Sequence, residues 1–155
     1  MQDELIFKPI SEEELDEVER IEKESFSEAW SRDAFLDAIG SKFHRIYCLK
    51  QKDCESERLL GYIGWTSVAG EAEITNVAID GKFRRRGYGA VLMERALSAL
   101  EGEGNDKVFL EVRAGNVPAV RLYEKFGFRE IGIRKNFYRF PTEDARLMVK
   151  ILKDQ

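Results

Sequence analysis

A strand that passes through a basic, glycine-bearing loop straight into a helix leaves a chain few ways to fold. Thr75–Leu97, TNVAIDGKFRRRGYGAVLMERAL, is such a segment. The alternation in ITNVAID reads as a strand, and AVLMERALSALEGEG sets Leu92, Ala96 and Leu100 on one helical face. A loop feeding a helix N-terminus points backbone N–H groups outward, with the positive end of the helix dipole behind them. Gly87 and Gly89 let backbone approach an anion, and arginine adds a forked, charged donor. Arg84-x-x-Gly87-x-Gly89 therefore reads as a pyrophosphate cradle. Two other readings stand beside it: a turn whose arginines merely face water, and a nucleic-acid patch. The lysine and Ser/Thr of a P-loop are missing, as is the third glycine of the dinucleotide fingerprint.

Charge weighs against the nucleic-acid reading. With 25 Lys and Arg against 29 Asp and Glu the chain carries −4, so three arginines are a local feature of an acidic protein. They suit one small anion better than a long polyanion. A single histidine, His44, and two cysteines without a CxxC spacing make no metal site. Cys48 and Cys54 read as reduced thiols, although a disulfide across a hairpin stays open. No long apolar run predicts a membrane span, and MQDELIFKPI lacks the form of a signal peptide. A cytoplasmic location is the expectation.

The 155 residues show no repeat or linker, which predicts one domain over 1–155. LIFKPI begins as a strand, and Ser11 with Glu14 forms a capping box. Leu15, Val18, Ile21 and Glu22 keep a helical period that Phe26 can extend, and Ser31 caps a second short helix. FHRIYCLKQ, RLLGYIGWTSV and AEITNVAID read as three meandering strands. After the Ala90 helix come strand KVFLEVR, helix VPAVRLYEKF with Asn116 as cap, and two closing strands, FREIGIRKNFY and ARLMVKILK. The order β-α-α-β-β-β-α-β-α-β-β predicts an α/β (α+β) fold, a mixed, mostly antiparallel sheet with helices on both faces.

At this point two segments resemble a known family. Arg84-x-x-Gly87-x-Gly89 looks like the acetyl-CoA pyrophosphate loop of the GNAT N-acetyltransferase superfamily, with ITNVAID before it resembling that family's splayed strand. LEVRAGNVPAVRLYEKFGF, Leu110–Phe128, resembles the second half of the cofactor site. LEVRAGN, LYEKFGF, RKNFY and AWSRDAF are together similar to the RimI-like group, the ribosomal-protein N-terminal alanine acetyltransferases. Gly81 and Lys82 stand where the family commonly has a proline-like residue, which bears on loop rigidity.

The resemblance implies acetyl-CoA as co-substrate, no metal, and an amine attacking a thioester. It implies Glu111 as general base through water and Tyr123 as general acid for the departing sulfur. Taken alone, Glu111 reads as a half-exposed partner of Arg113 or another base, and Tyr123 as packing. Val77 and Ile79 would hold the pantetheine arm through their backbones if the strand splays; otherwise they are plain core. Arg84, Gly87, Gly89 and Ala90 make the phosphate set, with Arg85 and Arg86 either solvated or near the nucleotide. Asn116 both caps its helix and touches cofactor in the family. Phe137 and Tyr138, between the closing strands, and Trp30 with Phe26 are candidate walls of a peptide groove, each with core packing as its alternative. His44 shows no partner, and the early acidic run reads as a wet helix face. That run could also attract a basic substrate.

A peptide α-amine has a pKa near 7.7–8.0 against about 10.4 for lysine, a gap worth about 3.4 kcal/mol in deprotonation. One glutamate manages the former more easily, so the expected acceptor is a protein N-terminus, with a ribosomal protein as candidate. Lysine side chains and small amines such as polyamines form the alternative. A non-catalytic CoA-binding module is a further one. No nucleic acid or membrane partner is expected, in a monomer or weak dimer.

Overall fold

The computed structural model describes residues 4–153. The three residues that open the chain lie outside them. The elements follow the order read from the sequence: β1 Glu4–Pro9, α1 Leu15–Ser25, α2 Arg32–Gly40, β2 His44–Lys52, β3 Glu57–Val68, β4 Glu71–Ile79, α3 Tyr88–Gly102, β5 Lys107–Arg113, α4 Val117–Lys125, β6 Arg129–Tyr138 and β7 Glu143–Ile151. Short 3-10 turns precede α1 and α3, at Glu12–Glu14 and Gly81–Phe83. The strands form one sheet in the order β1-β2-β3-β4-β5-β7-β6. Every pairing is antiparallel except β4 with β5.

Helices cover both faces. On one face Leu92, Met93, Ala96 and Leu100 of α3 and Tyr123 of α4 pack on Leu49, Ile63, Trp65 and Leu110. Here Phe7, Tyr47 and Trp65 stack across three strands, with centroid spacings of 4.6 and 5.2 Å. On the other face Leu15, Val18 and Ile21 of α1 and Phe35 of α2 pack on Ile46, Cys48 and Tyr62. Among the described residues no helix is long and apolar enough to cross a membrane.

The parallel junction opens the sheet. β4 and β5 pair only from Glu71–Lys107 to Glu73–Phe109, after which the ladder ends. β4 also bulges where Trp65 pairs Ile74 and Gly64 pairs Asn76, leaving Thr75 extra. The bulge shifts the alternation. Ala72 and Ile74 face α3; Thr75 and Asn76 both reach partners on the α1–α2 side, and Val77 and Ile79 return toward α3.

Several expectations need correction. Phe26 does not extend α1: it is extended, with φ −132° and ψ 136°. The acidic run is not all wet, since Glu14 and Glu22 are buried. Glu14 closes the capping box with Ser11 and also meets Lys8 and Lys50. The reading of both cysteines as reduced thiols stands and the open disulfide alternative falls: both are free, Cys48 buried and Cys54 exposed. His44 does have a partner: its Nε2 is 3.0 Å from Thr75 Oγ1. Gly64 borders this contact, since a Cβ built on it would come within 3.4 Å of Thr75 Oγ1.

Candidate active site

Past the last β4–β5 rung, Asn76, Val77 and Ile79 on one strand and Glu111 on the other flank a gap in the sheet. The β4 edge that looks into it has no cross-strand partner there, which suits an extended ligand arm. The Ile79 carbonyl accepts from Arg84 Nε at 3.2 Å.

The basic loop then turns into α3. Asp80 fixes the start of this turn: it accepts from the Lys82 N–H and is held by Arg20 at 2.7 Å. Gly87, expected as a loop glycine, is the N-cap of α3 in left-handed conformation, with φ 83°. α3 therefore begins at Tyr88, two residues before the expected start, and Gly89 falls in its first turn. A Cβ built on Gly87 meets nothing within 4 Å, so the space in front of the helix is open. Arg84, Arg85 and Arg86 are all exposed around it. Arg84 also reaches Ser25 at the end of α1 (3.3 Å), and Arg86 lies 5.8 Å over the Phe83 ring. Ala90 is half-buried in the first turn of α3. Open backbone donors and cationic side chains at a helix start fit a pyrophosphate.

Glu111 sits on β5, on the face opposite Val108, Leu110 and Val112. Its ion-pair partner is Arg134 of β6, not Arg113. Arg134 Nε is 3.0 Å from Glu111 Oε2, but the N–H is not aimed at it, and Oε2 is buried without a hydrogen bond. Burial raises the Glu111 pKa, Arg134 opposes the rise, and Glu73 adds to it.

Tyr123 enters from the other face. α4 starts at Asn116, whose Oδ1 accepts from the Ala119 N–H at 3.3 Å, and Pro118 occupies the first turn. It ends in a Schellman motif: the Phe128 N–H donates to the Tyr123 carbonyl and the Gly127 N–H to that of Glu124. Gly127 takes φ 95°, and the Tyr123 and Phe128 rings meet at 5.9 Å. The sequence GF after the helix thus fixes the tyrosine. Its ring is buried, its hydroxyl makes no hydrogen bond to a described residue, and burial pushes its pKa up. Tyr123 stays protonated at neutral pH.

Phe137 and Tyr138 end β6, as the strand reading FREIGIRKNFY has it, at the mouth of the β6–β7 loop. Phe137 is exposed; Tyr138 is half-buried, with its pKa pushed up to about 12 by burial and by the Glu111 charge. Arg113 lies 4.6 Å over the Tyr138 ring. The same guanidinium donates to the Pro141 and Arg139 carbonyls at 2.9 and 2.7 Å and to Ser27 Oγ at 3.0 Å. Ser27 in turn donates to the Arg139 carbonyl (2.9 Å). Arg113 thereby ties the α1–α2 loop to the β6–β7 loop, whose Phe26 and Phe140 side chains stand exposed. Trp30 packs instead at the edge of the second core, 5.2 Å from Phe35 and 5.4 Å from His44.

Sequence reading missed a buried polar cluster beside this groove. Glu22 Oε1 accepts from the Tyr62 hydroxyl at 2.6 Å, and Oε2 accepts from the Trp30 N–H at 3.0 Å. Asn76 Nδ2 donates to both oxygens at 3.4 Å. The signal was a glutamate on the inward stripe of α1.

The Acetyltransferase (GNAT) family model matches residues 15–128. The chain is 36% identical over 133 residues to a "[Ribosomal protein bS18]-alanine N-acetyltransferase" of Salmonella typhimurium, covering 83% of this chain and 85% of the relative. It is 31% identical over 148 residues to an "N-alpha-acetyltransferase" of Sulfolobus acidocaldarius, covering 87% and 85%. Among solved structures, the ribosomal-protein-S18-alanine N-acetyltransferase of Escherichia coli superposes with a TM-score of 0.87 at 27% identity, covering 98% and 96%.

Proposed function

The chain belongs to the GNAT acetyltransferase family, an acetyl-CoA-dependent N-acetyltransferase, and from that premise we propose that it acetylates the N-terminal α-amine of a protein, with ribosomal protein bS18 and its alanine terminus as the acceptor. The observation that carries this reading is the buried, unbonded Oε2 of Glu111 at the edge of the sheet opening. Desolvation makes that carboxylate hold a proton more tightly than a solvated one, which narrows its gap to an amine, and an α-amine near pKa 8 leaves less to bridge than a lysine at about 10.4.

Acetyl-CoA supplies the acetyl thioester. The Gly87 turn and Arg84 hold its pyrophosphate, with Arg85 and Arg86 as further cations, and Gly89 and Ala90 bring α3 close. The β4 edge at Val77 and Ile79 bonds the pantetheine arm, and the Val77 N–H polarises the carbonyl. Asn116 borders the arm from the cap of α4. Glu111 draws a proton from the amine through water. Tyr123, on the far face, gives its phenolic proton to the leaving sulfur. Phe137, Tyr138 and Phe26 flank the peptide entry.

Free-thiol release from acetyl-CoA tests this with bS18-type peptides bearing a free N-terminal alanine and with blocked peptides holding one lysine. Release with the free termini alone, lost in Glu111→Gln and Tyr123→Phe, is the expected result. Release with the lysine peptide alone, or only with polyamines, overturns it.

A further inference from the structure

Only two buried side-chain polar atoms among the described residues lack a hydrogen bond: Glu111 Oε2 and Asn76 Oδ1. They stand on β5 and β4, both beyond the Glu73–Phe109 rung where these strands part. Both belong to the α1–α2 face, Asn76 through Glu22 of α1 and Glu111 by its alternation with the core residues of β5. Glu111 is absorbed by the mechanism. Asn76 is not.

The orientation of Asn76 is set by its neighbours. Its Nδ2 donates to Glu22, which accepts at the same time from Tyr62 and Trp30. A flipped amide would press Oδ1 against a carboxylate that already serves as acceptor, so the flip is disfavoured. Oδ1 is thus turned away from Glu22 on a side chain only 4% exposed. Protein interiors rarely leave such an acceptor empty, and here the two orphans border one opening.

We propose that Asn76 is a substrate-binding residue: its Oδ1 accepts an N–H of the acceptor's primary amine while Glu111 serves the proton that is removed. This rests on the N-terminal acetyltransferase reading above. Two acceptors suit an amine and not the thioester, whose carbonyl is itself an acceptor. An ammonium has three N–H bonds. One proton passes through water to Glu111, freeing the lone pair that forms the C–N bond as the C–S bond breaks. A second is lost from nitrogen to solvent after attack, while Tyr123 protonates the sulfur. The remaining N–H stays on the amide product. Asn76 steadies one N–H at the moment of attack and so turns the lone pair toward the carbonyl. The class selected is a primary amine, and the Glu22–Tyr62–Trp30 cluster sets the asparagine in place.

The test compares two peptides that differ only at the first residue, alanine or N-methylalanine, with wild type and Asn76→Ala. A secondary amine has one N–H fewer to offer. The neutral secondary amine keeps a single N–H, which cannot both stay on Asn76 and be the proton lost after attack, so wild type should favour alanine by about tenfold or more in kcat/KM. Asn76→Ala should lose that preference, falling on alanine and little on N-methylalanine, with the KM for acetyl-CoA unchanged. A purely structural role would lower both peptides alike and shift the thermal melt, which overturns the assignment. Unchanged rates on both also overturn it. Should Asn76→Ala fail to fold, wild type decides alone: equal use of the two peptides sinks the proposal, and preference for alanine sustains it. A wild type inactive on every free N-terminus overturns the parent reading and this assignment with it. An active wild type with an indifferent Asn76→Ala overturns this assignment only.

Discussion

Arg134 Nε stands 3.0 Å from Glu111 Oε2 and yet gives it no hydrogen bond. The cation offsets part of the desolvation without sealing the oxygen. Because burial raises the Glu111 pKa, the proposed base ionises at higher pH than an ordinary glutamate. The acid limb of kcat/KM should therefore lie above pH 4.5, the usual glutamate value. Arg134 lowers that pKa, so Arg134→Ala should move the limb further up. Glu111→Gln should cost roughly 10²–10⁴ in rate and remove the limb. A pH–rate profile of the three proteins checks this.

Gly87 holds φ 83° at the start of α3, so Gly87→Ala forces a left-handed alanine at a cost of roughly 1–2 kcal/mol. The melt should fall and the KM for acetyl-CoA should rise. Arg84→Ala keeps the backbone turn but removes a charged donor, and should weaken acetyl-CoA by about tenfold or more. Calorimetric titration with CoA separates the two effects from catalysis.

Arg113 joins Ser27 to the Arg139 and Pro141 carbonyls. Its removal unties two loops that flank the proposed peptide entry and leaves the Gly87 turn untouched. Arg113→Ala should raise the peptide KM by about tenfold, the worth of one or two charge-assisted hydrogen bonds, with the acetyl-CoA KM constant. Hydrogen exchange should quicken across 139–142.

Glu14 is a stability prediction. Burial opposes its charge, but the Ser11 N–H, Lys50 and Lys8 hold its pKa down to about 2 from 4.5. A depressed carboxylate stabilises the fold above its unfolded pKa and loses that contribution as pH falls through the folded value. The loss should run between about pH 4.5 and 2, and Glu14→Gln should remove on the order of 3 kcal/mol at pH 7. Urea unfolding at a series of pH values reads both.

The element order was legible because apolar periods and caps act locally: Ser11, Ser31 and Asn116 each bond the helix they open. The end of α1 was not. No glycine or proline marks it, and Glu22 draws the Trp30 N–H back across the loop. The bulge at Thr75 was equally silent, since it depends on pairing with β3. That one extra residue gives His44 its partner and places Asn76 beside Glu22. The parts of the site set by backbone, Gly87 and the Gly127 turn, showed in the sequence. The parts set by distant side chains, Arg134 on Glu111 and Arg113 on Ser27, did not.

The most direct measurement offers wild type one peptide with both a free N-terminal alanine and an internal lysine, and locates the acetyl group by tandem mass spectrometry. The account predicts a single acetyl group on the terminal nitrogen. Acetyl on the lysine, with the terminus left free, would contradict it.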